Sequence, residues 1–238
     1  MDATYNEERD SEMECKIPEE AAVQQRVREQ LEASVAVLRR VAEDAALHAT
    51  LVAAAQQTAH ALLAGRKLMV AGNGGSAADA QHLVAEFVCR LCEDRAAMRA
   101  VALSTDSSIL TAVGNDYGFD RIFERQIEAL ADAGDVFLGI STSGNSPNVV
   151  KALELCRKLG VTTIGFSGRT GGKMAPLCDY SIQIPSAVTM HVQESHLALE
   201  HAFCALVEQI YFAKDPAPKL APNIDASDAS DATCRTVR

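Results

Sequence analysis

The sequence predicts an α/β fold, a three-layer α/β/α sandwich with a five-stranded parallel sheet, preceded by an N-terminal helical arm. Three observations support this prediction. From residue 67 onward, short apolar runs alternate with segments of helical periodicity, which is the pattern of strand–helix–strand units. The residues before that point show helical periodicity alone. Hydrophobic residues make up 48% of the 238-residue chain, which is enough for one substantial core.

The N-terminal part of the chain divides into a tail and a helical arm. Residues 1–18 are charged and lack apolar spacing, which predicts a disordered acidic tail. From 19 to about 63 the chain is rich in Ala, Leu and Val, and we expect two helices that are separated near 48–50. The first helix carries an apolar stripe at three- and four-residue steps, formed by Val23, Val27, Leu31, Val35 and Leu38. Because such an arm has no sheet of its own to cover, we expect it to pack against a second subunit.

The alternating part of the chain predicts the sandwich itself. Five apolar runs are typical of buried strands in a parallel sheet: Lys67–Ala71, Ala100–Leu103, Asp135–Ile140, Val161–Phe166 and Tyr180–Ile184. Helical patterns occupy Ala77–Cys92, Phe119–Ala131, Pro147–Leu159 and Val192–Phe212. Strand then helix, repeated with right-handed crossovers, gives a doubly wound sandwich. Residues 214–238 have low complexity and predict a tail without a fold, so a single domain is expected over 19–213.

Charge and composition exclude several classes of function. The chain has 22 Lys and Arg against 32 Asp and Glu, a net charge of −10. No basic cluster offers a surface for a phosphate backbone, so nucleic-acid binding through basic charge is not expected. An anionic substrate would have to be held locally, by backbone amides and helix ends.

Cysteine usage and hydropathy predict a soluble cytoplasmic protein. Seven cysteines, an odd number, favour reduced thiols in a reducing compartment. Cys89 and Cys92 form a lone CxxC, which we interpret as two thiols on a helix rather than as a redox or zinc motif. The N-terminus lacks the features of a signal peptide, and no apolar run reaches the roughly 18 residues of a membrane span.

The segment 71–76, Ala-Gly-Asn-Gly-Gly-Ser, leads directly from a predicted strand into a predicted helix. We call it the glycine turn. Its glycines let backbone amides approach a ligand closely, and the helix start adds partial positive charge. Its spacing matches neither GxGxxG nor the phosphate loop with Lys. By itself it is equally compatible with a tight turn and with a ligand site.

The segment 141–147, Ser-Thr-Ser-Gly-Asn-Ser-Pro, also joins a strand to a helix, and we call it the serine turn. Ser146 is expected at the helix N-cap, with Pro147 at the first helical position. Capping explains Ser146 alone. The hydroxyls of Ser141, Thr142 and Ser143 would suit the oxygens of a phosphate monoester at a helix N-terminus. The serine turn therefore predicts a phosphate site.

Two predicted helices carry residues that suit metal ligation or proton transfer. His82 and Glu86 are four residues apart and share one face of the helix after the glycine turn. The last helix carries His201. By spacing, Glu194 shares a face with His201 better than Gln193 does, and periodicity alone does not decide which of them accompanies it.

These residues carry a family resemblance. Residues 72–86, GNGGSAADAQHLVAE, are very similar to the sedoheptulose 7-phosphate isomerases, or phosphoheptose isomerases, of the sugar isomerase (SIS) group. The similarity continues through 110–118 (LTAVGNDYG), 134–147 (GDVFLGISTSGNSP), 171–174 (GGKM) and 192–201 (VQESHLALEH). It covers roughly 19 to 212, and several motifs in the same order are a specific signal.

The resemblance implies a homotetramer with active sites at subunit boundaries and one Zn2+ per subunit. It implies that zinc is held by His82, Glu86, Gln193 and His201, and so selects Gln193 where spacing favours Glu194. It implies substrate contacts from Asn73, Gly74, Gly75, Glu86, Asn115, Asp116, Ser141, Thr142, Ser143, Ser146 and Gln193. Asn115 and Asp116 would otherwise be assigned to an ordinary turn.

The resemblance also implies a reaction. Sedoheptulose 7-phosphate would become D-glycero-D-manno-heptose 7-phosphate through an enediol, with Glu86 as base and His201 as acid, in the first step toward nucleotide-activated heptose. Alternatives are a non-catalytic SIS-fold regulator that binds a sugar phosphate, a scaffold that binds the replication initiator, and an isomerase of another phosphosugar. The presence of both Glu86 and His201 favours an enzyme.

Overall fold

The computed structural model describes residues 20–92 and 94–213, which form seven α-helices and five strands. The helices are α1 Glu20–Glu43, α2 Ala45–Leu63, α3 Gly75–Val88, α4 Ser107–Asp116, α5 Ile122–Leu130, α6 Pro147–Leu159 and α7 Thr189–Tyr211. The strands are β1 Leu68–Gly72, β2 Ala100–Ala102, β3 Val136–Ser141, β4 Thr162–Ser167 and β5 Tyr180–Gln183. Short 3-10 helices occupy Phe119–Arg121 and Ala175–Leu177. The predicted tails, 1–18 and 214–238, lie outside the described residues.

The sheet is entirely parallel, in the order β2-β1-β3-β4-β5. The chain leaves β1 toward β2 on one side and then returns to β3 on the other side of β1. The change of direction therefore falls between β1 and β3, and ligands of such sheets bind beyond the carboxyl ends of the strands at that point. Gly72 pairs with Ile140, so the glycine turn and the serine turn begin side by side.

Side chains of successive strand residues point to opposite faces of the sheet and build two apolar cores. Leu68 and Val70 pack with α1, α2, α3 and α7 on one face. Met69 and Ala71 pack with α5 and α6 on the other face. All five residues of β1 are buried, which explains why its sequence is continuously apolar. The predicted three-layer sandwich with five parallel strands and a helical arm is confirmed.

Two helix predictions were wrong. The break in the helical arm lies at Asp44 instead of 48–50, because the Asp44 carboxylate accepts hydrogen bonds from the amides of Ala46 and Leu47 and caps α2. The helix predicted over 77–92 begins at 75 and ends at Val88. Cys89 is its C-cap and Cys92 lies beyond it, so these two cysteines do not share a helix as predicted.

Helix α4 was not predicted, and its last two residues, Asn115 and Asp116, were expected in a loop. The helix has no fully buried residue, and only Leu110 and Val113 pack in part against the core, so its ten residues carry a short apolar pattern. Its start is fixed by Asp106, whose carboxylate accepts a hydrogen bond from the amide of Ile109 at 2.9 Å. Within the described ranges, no helix is both long and apolar enough to cross a bilayer.

Candidate active site

The glycine turn is folded tightly over the start of α3. Gly74 has a φ of 56°, a backbone conformation that glycine adopts without steric cost. Its carbonyl accepts hydrogen bonds from the amides of Ala77 and Ala78, at 3.1 and 3.3 Å. A side chain at Gly72 would overlap the backbone of Ser76. The first amides of α3 have no partner within the helix, so this turn presents backbone donors at a positive helix end.

The hydroxyls of the serine turn converge. Ser141 Oγ lies 2.8 Å from Ser146 Oγ and 3.4 Å from Ser143 Oγ. Ser146 occupies the N-cap position with Pro147 at the first turn of α6, as expected, but its side chain makes no capping bond. Capping therefore does not explain the hydroxyl of Ser146. Three hydroxyls at a helix N-terminus suit the oxygens of a phosphate group.

The Gly171-Gly172 segment supports the serine turn from outside. A side chain at Gly144 would overlap the carbonyl of Gly171, so the two backbones are in direct contact. The amide of Met174 donates to the Gly144 carbonyl at 3.0 Å, and Thr142 accepts from the amide of Gly168 at 3.0 Å. Only glycine permits this approach, and it fixes the serine turn in place.

The glycine turn and the serine turn are joined by two carboxamides. Asn73 and Asn148 exchange hydrogen bonds at 2.9 and 2.8 Å. Beside them lies a cavity of about 270 Å³, lined by Asn73, Phe119, Asp120, Ser146, Pro147 and Asn148. Two predicted substrate residues, Asn73 and Ser146, thus line one cavity.

The three predicted proton-transfer and metal residues with imidazole or carboxylate groups meet between α3 and α7. His82 Nε2 lies 2.8 Å from His201 Nε2 and 3.6 Å from Glu86 Oε1. One ligand atom from each of the three lies within 4.8 Å of the others. The side chain of His82 is 43% exposed and that of Glu86 is 18% exposed, so the cluster opens to solvent. We call His82, Glu86 and His201 the acid–base cluster.

The donor set of the acid–base cluster fits a zinc ion. Two imidazole nitrogens and one carboxylate are a ligand combination of catalytic zinc sites, which leave a further position open. The three donors are already close together, so binding an ion would require only small side-chain movements. Gln193 was the fourth predicted ligand.

Gln193 lies against α3, whereas Glu194 is exposed. The Gln193 amide donates to the Asp79 carboxylate at 3.0 Å, and its carboxamide packs on Gly75, where a side chain would overlap it. Eight residues separate Gln193 from His201, which is roughly 12 Å along a helix axis. The ligand role of Gln193 stays a prediction.

Asn115 and Asp116 are exposed at the end of α4, and the Asn115 side chain donates to that of Asp116 at 2.7 Å. The structure gives no contact that joins them to the acid–base cluster or to the serine turn within 20–92 and 94–213. Their predicted substrate role is not supported by contacts within one chain.

Several buried polar residues near the site escaped the sequence analysis. Asp79 is buried one helical turn before His82, and burial raises the pKa of its carboxyl group. Glu200 is buried next to His201, and its carboxylate oxygens have no hydrogen-bond partner among the described residues. Burial, and then the charge of Asp79, raises the pKa of Glu200 to about 8. The only sequence signal was a carboxylate on the inner face of a helix.

Comparisons with known proteins agree on one family. Residues 30–168 match the model of the SIS domain family. A phosphoheptose isomerase of Pelobacter propionicus is 58% identical over 159 residues, which cover 67% of this chain and 84% of the relative. Phosphoheptose isomerase 2 of Campylobacter jejuni is 48% identical over 181 residues, covering 76% and 90%.

Solved structures give the same result. The phosphoheptose isomerase of Neisseria gonorrhoeae superposes with a TM-score of 0.74 at 40% identity, covering 79% of this chain and 99% of that one. The phosphoheptose isomerase of Francisella tularensis superposes with a TM-score of 0.72 at 31% identity, covering 78% and 98%. An Escherichia coli protein is only 18% identical, with a TM-score of 0.57, and its likeness shows the fold alone.

Proposed function

Since the chain belongs to the phosphoheptose isomerases of the SIS domain family, we propose that its acid–base cluster and serine turn convert sedoheptulose 7-phosphate to D-glycero-D-manno-heptose 7-phosphate. The reaction class is aldose–ketose isomerisation. The observation that carries the assignment of residues is the meeting of Glu86 with His201 in one solvent-open cluster.

The phosphate of the substrate binds at the serine turn. Ser141, Thr142, Ser143 and Ser146 surround the N-terminus of α6, and their hydroxyls and free amides can donate to phosphate oxygens. The whole chain has a net charge of −10, so a dianion is held by these local donors against an unfavourable overall field. Asn73, Gly74 and Gly75 of the glycine turn contact the sugar between the phosphate and the acid–base cluster.

Glu86 and His201 move protons in the open-chain sugar. The Glu86 carboxylate takes a proton from carbon 1, while His201 donates a proton to the oxygen of carbon 2, and the electron pair of the broken C–H bond forms the enediol double bond. In the second half, His201 accepts the proton of the carbon 1 hydroxyl and Glu86 returns its proton to carbon 2. The carbonyl has then moved from carbon 2 to carbon 1, and both residues are back in their initial states.

A zinc ion would be held by His82, Glu86, Gln193 and His201. When bound, zinc acts as a Lewis acid that polarises the carbonyl group. Glu86 and His201 belong to both the ligand set and the proton-transfer pair. Ion and proton would compete for the same atoms of these two residues, whereas His82 has no part in the proposed proton transfer.

The protein works as a homotetramer with its active sites at subunit boundaries. The exposed side chains of Val23, Val27, Leu31 and Val35 on α1 form an apolar face that a second subunit would cover. Residues 19–213 form a single SIS domain. The enzyme acts in the cytoplasm, and its product enters the synthesis of nucleotide-activated heptose for lipopolysaccharide, capsule or other glycoconjugates.

Incubation with several ketose phosphates tests this proposal. We expect aldose product from sedoheptulose 7-phosphate. Much less product is expected from the ketose phosphates that isomerise to arabinose 5-phosphate or glucosamine 6-phosphate. Chelation of zinc should lower the rate, and added zinc should restore it. Full activity of metal-free protein would contradict the Lewis-acid role, and binding of sugar phosphates without any product would identify a regulator.

The variant Glu86→Gln tests the assignment of the base. We expect turnover to fall by about 10²–10⁴-fold, the contribution typical of general base catalysis, with sugar-phosphate binding retained. Glu154→Gln, which changes an exposed carboxylate on α6, is the matched control and should turn over normally. Turnover by Glu86→Gln at the rate of the unaltered protein would show that another group removes the proton.

A further inference from the structure

Asn148 is buried, with 2% of its surface exposed, at the second position of α6. Its carboxamide faces that of Asn73, which follows β1 in the glycine turn. Asn148 Nδ2 donates to Asn73 Oδ1 at 2.8 Å, and Asn73 Nδ2 donates to Asn148 Oδ1 at 2.9 Å. Asn148 Oδ1 also accepts from the amide of Val149 at 3.0 Å. We call the reciprocal pair the amide clasp.

The amide clasp fixes the orientation of both side chains. Each carboxamide donates to the other and accepts from it. Rotation of either one alone by 180° would therefore place the two NH2 groups opposite each other and the two oxygens opposite each other. Buried polar groups without partners are costly, which keeps the pair closed. The two side chains are 75 residues apart in the sequence, so the clasp is a tertiary contact and not part of a local turn or helix cap.

The amide clasp lies between the two turns that would hold the phosphate and carry the base. The last paired residues of β1 and β3 are Gly72 and Ile140, and the clasp continues the connection beyond the end of this ladder. One side of the clasp is the glycine turn, from which α3 carries Glu86. The other side is the start of α6, where the serine turn holds the phosphate. The clasp therefore fixes the distance between the phosphate anchor and the base.

We propose that Asn148 is a positioning residue for the isomerisation, which acts through Asn73 by holding the glycine turn in register with the serine turn. This inference rests on the proposed function of both turns. Asn148 does not touch the reacting carbons. Its removal should leave the phosphate site and the acid–base cluster chemically intact but wrongly spaced, and misplacement by about 1 Å can cost about 100-fold in rate.

The test compares Asn148→Ala with a matched loss of a buried carboxamide elsewhere. Gln126 on α5 is buried and donates to the carbonyls of Leu103 and Ile122, both at 2.9 Å, so Gln126→Ala removes a similar pair of bonds. We expect both variants to lose similar thermal stability. Only Asn148→Ala should lose kcat/KM for sedoheptulose 7-phosphate, by about 10- to 100-fold. Asn148→Leu keeps the branched shape of the side chain without its hydrogen bonds. It should behave like Asn148→Ala and replaces that variant in the test if Asn148→Ala does not fold.

A double-mutant cycle separates positioning from general packing. If Asn148 acts through Asn73, then adding Asn148→Ala to Asn73→Ala should cause little further loss of kcat/KM. Additive losses, an equal loss in Gln126→Ala, or unchanged kcat/KM in both Asn148 variants would overturn the proposal.

Hydrogen exchange distinguishes this failure from failure of the proposed function. Amides of residues 72–76 should exchange faster in Asn148→Ala than in the unaltered protein and in Gln126→Ala. If the unaltered protein does not isomerise the heptose phosphate, the proposed function fails, while faster exchange would still establish the clasp. Exchange at the rate of the unaltered protein would show that Asn148 does not hold the turn.

Discussion

At the scale of single residues, the site contrasts polar groups that are open to solvent with polar groups that are buried. His82 and Glu86 are accessible to a substrate. Glu200, one residue before His201 on α7, is 1% exposed and its oxygens have no hydrogen-bond partner among the described residues. Burial without hydrogen bonds favours the protonated carboxyl group, which accounts for its raised pKa. Ionisation of Glu200 in the folded state therefore lowers the free energy of unfolding.

Glu200→Gln should therefore stabilise the protein in a pH-dependent way. The pKa of Glu200 is about 8 in the folded state against a usual value of 4.5, so between these values the folded state binds more protons than the unfolded state. The unaltered protein should lose stability from this group as the pH rises through that window, by about 1.4 kcal/mol per unit of pKa difference.

Urea unfolding at pH 5, 6, 7 and 8 measures this effect. The advantage of Glu200→Gln in free energy of unfolding should grow with pH and level off above about pH 8. Glu154→Gln, at an exposed site, should show no such trend. An advantage that does not change with pH would contradict the raised pKa.

At the scale of elements, the site depends on how α3 packs along α7. Gly75 lies against Gln193 at one end, and Arg95, just beyond α3, reaches Glu208 of α7 at the other. The Arg95 guanidinium also donates hydrogen bonds to the backbone carbonyls of Glu86 and Phe87 at 2.6 and 2.8 Å. These carbonyls lie in the last turn of α3, where they have no acceptor role within the helix. The acid–base cluster lies between these two contacts.

Gly75→Ala should displace the Gln193 side chain, because the new methyl group would overlap its carboxamide. The backbone at 75 does not require glycine by its φ, and the overlapping atoms end a flexible side chain, so we expect little loss of stability. Zinc affinity, measured by competition with a chelator, should fall by about 10- to 100-fold, as for other changes around metal ligands.

Combination with Gln193→Ala checks the cause of that effect. If Gly75→Ala acts through Gln193, the double variant should bind zinc as Gln193→Ala does. Unchanged zinc affinity in Gly75→Ala and in Gln193→Ala alike would remove Gln193 from the ligand set.

Arg95→Ala should weaken the far end of the helix pair. The side chains of Arg95 and Glu208 are only 6% and 9% exposed and lie 2.7 Å apart, and breaking a buried ion pair typically costs about 3–5 kcal/mol of unfolding free energy. Arg125→Ala is the control, because its pair with Glu128 is 38% and 54% exposed and should contribute about 1 kcal/mol or less. Equal losses in the two variants, measured by denaturant unfolding, would contradict the structural role of Arg95.

At the scale of the whole molecule, α1 is a long helix that is covered only near its C-terminal end. Its buried residues are Val37 and Val41, near its C-terminal end, whereas its N-terminal half exposes apolar side chains. Only its C-terminal part contributes to the core on that face of the sheet. A helix that is apolar along one exposed face gains stability when a second surface covers it.

Leu31→Glu should therefore reduce the size of the assembly in solution. Leu31 is 61% exposed in the single chain, and a charge there would oppose burial in a subunit interface. Gln25→Glu adds the same charge on the opposite side of α1 and should leave the assembly unchanged. Light scattering after size-exclusion chromatography measures both. The same oligomer in both variants would show that this face is not an interface.

The sequence by itself determined the sheet and the chemistry of its two loops. Buried parallel strands are continuously apolar, so all five were found within a few residues of their bounds. The glycine turn and the serine turn were singled out because each joins a predicted strand directly to a predicted helix and is rich in glycine or hydroxyl residues. Helix α4 was missed because its apolar pattern is short, and the break at Asp44 because one capping carboxylate decided it.

The tertiary structure decided which of these residues meet. Sheet order sets the glycine turn and the serine turn side by side, and the packing of α3 on α7 brings His201 to within 2.8 Å of His82, although 119 residues separate them. It also placed the Gln193 side chain against α3 and that of Glu194 in solvent, a choice that helical spacing had left open. The physical reason is that periodicity describes one helix face at a time, whereas contacts between helices depend on the packing of the whole core.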